Sequence, residues 1–91
     1  MLAIRHDSTA QRFTADIDGA TAYISYRATP GRVLDLHHTY VPRAARGGGI
    51  ASQLTAHVLM FARDEGYKVV PSCPFVAAYI DRHAEYRDLL A

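Results

Sequence analysis

The sequence predicts a mixed α/β domain, an antiparallel β-meander followed by a β-α-β crossover and a C-terminal helix. Three observations carry this. Period-2 runs fill the first half, a glycine-rich loop opens a long amphipathic segment at the centre, and a short β-branched run follows it. With 91 residues the chain is read as one domain, residues 1–91. A domain of this size buries roughly 60–65 % of its unfolded surface, so the core is real but modest.

Residues 11–17 place Phe13, Ala15 and Ile17 on one side, which is a strand. Asp18-Gly19 is a hairpin signal. Ala20 to Arg27 is β-like again, with Tyr23, Ile24 and Tyr26, and Thr29-Pro30-Gly31 makes the next turn. Val33 to Val41 is the third strand, with Leu34, Leu36, His38 and Tyr40 expected on one face. Pro42 ends it, because proline donates nothing to a ladder. Arg43 to Gly48 is a loop. A helix runs from Gly49 to Glu65, its apolar face expected to carry Ile50, Leu54, His57, Val58 and Phe61. On that spacing His57 is a satisfied core residue, and Leu59 is exposed on the opposite side. Gly66 closes the helix.

Tyr67-Lys68-Val69-Val70 is a short strand reached by crossover, hence parallel to the third. Pro74 suits the first turn of a last helix, Phe75 to Arg82, and His83 to Ala91 reads as a turn plus a short helical segment.

Composition excludes several roles. Apolar residues make up 49 % and charged residues 21 %, ordinary for a globular protein. A net charge of +1 provides no field to recruit nucleic acid or an anionic membrane. The apolar runs are too short to cross a bilayer, and residues 1–7 have no signal-peptide core. A single cysteine cannot form an internal disulfide, so Cys73 is expected as a free thiol in a reducing, cytoplasmic setting. His37 and His38 are adjacent in a strand and point to opposite faces, so no metal is expected. Monomer or weak dimer is expected, the latter from exposed Leu59.

The run Arg46-Gly47-Gly48-Gly49-Ile50-Ala51 joins a strand to a helix. Glycines let backbone N–H groups approach a ligand, and the helix N-terminus favours an anion. Arg43 and Arg46 add charge-assisted donors. The loop is therefore read as a pyrophosphate cradle. It lacks the Gly-Lys-Ser/Thr ending of a Walker A loop and the Gly-x-Gly-x-x-Gly of a dinucleotide fold.

These residues fit the Arg/Gln-x-x-Gly-x-Gly/Ala motif of the GNAT N-acetyltransferases. The flanks His38-Thr39-Tyr40-Val41-Pro42, Pro71-Ser72-Cys73-Pro74-Phe75-Val76 and Tyr79-Ile80-Asp81-Arg82-His83-Ala84-Glu85-Tyr86 resemble the small single-domain members of that superfamily. The resemblance covers residue 11 to the end. It implies a minimal GNAT-like fold in which the strand ending at Val41 splays from the strand of Val69 and Val70. It also implies acetyl-CoA as co-substrate, its pyrophosphate on Arg43, Arg46, Gly47, Gly48, Gly49, Ile50 and Ala51, and its thioester carbonyl at the Val41 N–H. The acceptor is an amine: a small amine, a protein lysine or an N-terminus. The acceptor pocket is expected to be open and shallow.

Cys73 precedes a proline suited to the first helical turn, so it is a candidate N-cap whose thiolate gains from the helix dipole. By resemblance this position is the candidate acetyl acceptor. Many GNAT enzymes place a glutamate on the strand before the motif; here His37-His38-Thr39-Tyr40 has no carboxylate. His38 is the substitute base. Tyr79 is placed, by resemblance, near the tyrosine that protonates the leaving thiolate. The function expected is acetyl-CoA-dependent N-acetyl transfer, through or assisted by Cys73. The alternative is a non-catalytic acyl-CoA-binding or protein-interaction module on the same fold.

Overall fold

The computed structural model describes residues 2–91. A single five-stranded sheet has its strands in chain order: β1 (Ile4–Asp7), β2 (Arg12–Ile17), β3 (Ala20–Thr29), β4 (Val33–Tyr40) and β5 (Lys68–Val70). The first four are antiparallel, and β5 lies parallel to β4. Helix α1 (Ile50–Glu65) is the crossover. Helix α2 (Pro74–Arg82) follows β5, and a six-residue 3-10 turn, Ala84–Leu89, follows α2. The meander, the parallel last pair and both helices match the fold class read from the sequence.

β1 is an addition. Ile4 is its only aliphatic residue, so the alternation is weak. The inward position two residues on is His6, which stacks on Phe13 with ring centroids 4.2 Å apart. Between β2 and β3 the turn takes positive φ at Asp18 (50°) and Gly19 (83°), the pattern a tight hairpin requires.

One face of the sheet is covered. Phe13, Ala15, Ala22, Ile24, Tyr26, Leu34 and Leu36 point into a core completed by α1 and α2. The other face is open and carries Arg12, Tyr23, Ser25, His38 and Tyr40.

Two expectations about faces are corrected. In β4, Leu36 pairs with Tyr26 and His38 with Ser25, leaving His37 as the extra residue of a β-bulge. The bulge resets the alternation. Thr39, opposite buried Ile24, faces the core side, and His38 and Tyr40 face outward, not inward with Leu34 and Leu36.

In α1 the buried stripe is Leu54, Thr55, Val58, Leu59 and Ala62. Leu59 is 0 % exposed and His57 is exposed, the reverse of the expectation for both. The cause is packing on two sides: α1 meets the sheet on one side and α2 with the C-terminal turn on the other. The exposed leucine that pointed to a weak dimer is therefore inside the core.

Candidate functional site: a glycine cradle beside a split strand pair

β4 and β5 pair over only three residues: Val33 with Lys68, Leu34 with Val69, and Asp35 with Val70. One last link follows, the Cys73 N–H donating to the Leu36 carbonyl at 2.9 Å. Beyond it β4 continues to Tyr40 while the chain turns into α2. The two strands thus part, leaving the β5-side edge of residues 37–40 without a strand partner.

At the end of β4, Arg43–Ala45 forms one 3-10 turn in place of an irregular loop, held by the Ala45 N–H on the Pro42 carbonyl (2.9 Å) and the Arg46 N–H on the Arg43 carbonyl (3.2 Å). The glycines then enter α1. Gly47 (φ 89°) and Gly49 (φ 78°) occupy a left-handed region that side chains resist. Gly48 does not: a Cβ there would meet the Ala45 carbonyl oxygen at an ordinary 3.6 Å. Gly49 caps α1 without a side chain, and no acidic residue lies in the first turn. The first N–H groups of a sixteen-residue helix are therefore left for a ligand, at the positive end of its dipole.

A cavity of about 310 Å³ lies at this point, lined by Val41, Ala45, Arg46, Gly47, Gly49, Ile50, Ala51, Ser52 and Phe75. The expected cofactor residues Val41, Arg46, Gly47, Gly49, Ile50 and Ala51 come together there. Gly48 and Arg43 are beside the cavity in sequence but not in its wall. Arg46 Nε donates to the Val41 carbonyl at 3.0 Å, tying the loop to the end of β4. Ser52 and Phe75 are additions. Ser52 lies in the first turn of α1 and was legible from the helix start; Phe75 needed the fold, which lays the start of α2 beside the cradle.

Cys73 is the N-cap of α2, with Pro74 at the first helical position, as its sequence context implied. It is a free, buried cysteine, 7 % exposed. Its Sγ lies 3.4 Å from the Thr39 hydroxyl. Burial pushes the thiol up, but hydrogen bonding outweighs it: the Thr39 hydroxyl and the N–H groups of Val76, Phe75 and Thr39 bring it below the ordinary thiol value. In the thiol form Sγ makes no capping hydrogen bond. The N–H groups at the start of α2 act on the thiolate, which accepts where a thiol barely does.

Of the two other expected catalytic residues, His38 is turned away from Cys73 and Tyr79 is held in the core on α2. His38 lies on the open face, 5.7 Å from the Tyr23 ring, across β4 from Thr39 and the cysteine. Tyr79 is buried; burial, then Tyr86 and Glu85, raise its phenol above the usual value. It stacks on His83 at 4.0 Å and leans on Tyr86 at 6.0 Å. Thr39, like Ser52 and Phe75, was missed from the sequence. Only the bulge turns it inward, and no local signal at His37 announces a bulge.

Among the described residues no cluster of three or more His, Cys, Asp or Glu could hold a metal ion, and no helix is long and apolar enough to cross a membrane.

Residues 12–89 match the family described as GCN5-related N-acetyl-transferase. The chain belongs to that family. Protein NATD1 of Gallus gallus is 33 % identical over 81 residues, covering 87 % of this chain and 74 % of the relative. Protein NATD1 of Homo sapiens is also 33 % identical over 81 residues, covering 87 % and 72 %. The fold is similar to the NMR solution structure of a GCN5-like protein from Staphylococcus aureus. The TM-score is 0.71 at 24 % identity, over 99 % of this chain and 88 % of that one.

Proposed function

We propose that the protein is an acetyl-CoA-dependent N-acetyltransferase acting on an amine. The observation that carries this reading is the succession of three features along β4. The uncapped N-terminus of α1 and its cavity come first, the partnerless edge of β4 next, and the Cys73 thiol at the fork last.

The chemistry follows from the residues. The amides of Gly49, Ile50 and Ala51 and the Arg46 guanidinium suit a pyrophosphate. The free edge of β4 suits the amide-bearing pantetheine arm, which can bond to it as an added strand would. The Val41 N–H suits the thioester carbonyl and would stabilise charge developing on its oxygen.

The acceptor side is the open sheet face. His38 and Tyr40 are exposed there, beside Tyr23 with the Arg12 guanidinium over its ring, which fits a broad acceptor such as an exposed lysine, a protein N-terminus or a small amine. A lysine-like amine, of pKa about 10.4, must lose a proton before it attacks. His38 is the base on that face. Cys73, on the core side of β4, either takes the acetyl group and passes it on or lines the site of a direct attack.

Release of free coenzyme A thiol from acetyl-CoA across a panel of amines tests the reading. Turnover that requires both the amine and an intact glycine loop supports it. Tight acetyl-CoA binding with no turnover on any amine favours an acyl-CoA-binding module instead.

A further inference from the structure

We infer that Thr39 is a positioning residue for Cys73, holding the sulfur at the fork of β4 and β5. The inference rests on the reading of Cys73 as part of an acetyltransferase site, and adds a residue to it.

Three observations on geometry carry it. The extra residue His37 reverses the side on which Thr39 emerges, so its hydroxyl points to the core side instead of to solvent. That hydroxyl meets Cys73 Sγ at 3.4 Å, although the two residues are 34 apart in sequence. The Cys73 backbone is fixed independently, by its N–H on the Leu36 carbonyl and by its own carbonyl, which accepts the Ala77 N–H at 3.1 Å. With the backbone pinned, Thr39 settles which way the sulfur faces.

A hydroxyl suits both protonation states. It accepts the S–H of the thiol and, by rotating, donates to the thiolate. The Phe75 and Val76 N–H groups can only donate, so they favour the thiolate alone. The causes acting on the sulfur are desolvation and hydrogen bonding, and Thr39 contributes through both its hydroxyl and its N–H. In the group transfer the thiol proton leaves to solvent. The Cys73 thiolate attacks the acetyl carbon, a new S–C bond forms, and the bond to the coenzyme sulfur breaks. The departing thiolate takes a proton from water.

The test is the rate of Cys73 alkylation by iodoacetamide across pH in the full chain, for wild type, Thr39→Val and Thr39→Ser. Valine keeps the β-branched shape and loses the hydroxyl. Expected in Thr39→Val is a shift of the alkylation profile to higher pH, with a loss at neutral pH of about tenfold, the scale of one hydrogen bond to a charged group. Thr39→Ser should restore the profile, which a purely packing role would not do. A Thr39→Val profile that superimposes on wild type overturns the inference, as does a serine variant that behaves like valine. Alkylation needs neither coenzyme nor acceptor. If the acetyltransferase reading fails, wild type will show the lowered profile but release no coenzyme A thiol with any amine. If only Thr39 fails, coenzyme A will be released with an amine while valine leaves the profile unmoved.

Discussion

The Cys73 N–H donates to the Leu36 carbonyl at 2.9 Å, the last backbone hydrogen bond between β4 and the segment that follows β5. Upstream β4 is paired on both edges; downstream it keeps β3 on one edge and runs toward the glycine loop with the other edge free of a strand. Because the link is made by the backbone of the cysteine, the fork and the thiol share one residue.

Gly48→Asp should abolish acetyl-CoA binding without unfolding the protein. Gly48 does not need positive φ and a Cβ there meets no clash, so the substitution adds mainly a negative charge beside the cradle. Calorimetry with the variant checks this, alongside a thermal melt. Wild-type affinity in Gly48→Asp would remove the loop from the binding site. Gly49→Ala is a contrasting change. It forces a side chain into left-handed backbone and should cost roughly 1–2 kcal/mol of stability.

Leu59→Ala should destabilise the fold by about 2–5 kcal/mol, the range for deleting a leucine from a packed interior. Leu59 is wholly enclosed between α1 and its neighbours. Urea denaturation measures the loss. A change below about 0.5 kcal/mol, ordinary for a surface position, would contradict the packing of α1 against α2 and the C-terminal turn.

His38→Gln should lower kcat by about 10²-fold or more while leaving acetyl-CoA affinity unchanged. His38 lies across β4 from the cavity, so loss of a base there has no route to the cradle. Equal losses in kcat and in coenzyme affinity would show that the two faces are not separate.

Acid should weaken the N-terminal strand. Burial lowers the His6 pKa; Asp7 opposes and His57 adds to the shift. Its Nε2 pairs with the Tyr26 hydroxyl at 2.5 Å, and its ring stacks on Phe13. With the folded value depressed, the unfolded chain binds more protons once pH falls below about 6.5. The contribution is therefore intact above that value and is lost as pH falls from it through the lowered folded value. Denaturation midpoints of wild type and His6→Gln, compared from pH 7.5 to 5, should converge toward acid. Parallel curves would show that His6 is not the group responsible.

Legibility in the sequence followed how local each cause was. The turn at Asp18-Gly19 and the stop at Pro42 are written in single residues, and both stand where they were read. The N-cap role of Cys73 was legible because Pro74 fixes the helix start. The face of His38 was not. Period 2 is a reliable guide only while pairing stays in register, and the extra residue at His37 is decided by the partner strand β3. Leu59 failed for a related reason. A helical wheel assumes one buried face, and α1 has a second that depends on α2, beyond the helix itself. β1 was missed because its inward partner for Phe13 is a histidine, which counts as polar until it stacks.

Titration of acetyl-CoA into the purified protein tests the central claim most directly. Saturable one-to-one binding in wild type, lost in Gly48→Asp, is the predicted result. No heat and no saturation at millimolar acetyl-CoA would contradict it, leaving the fold intact but without the coenzyme on which the proposed activity depends.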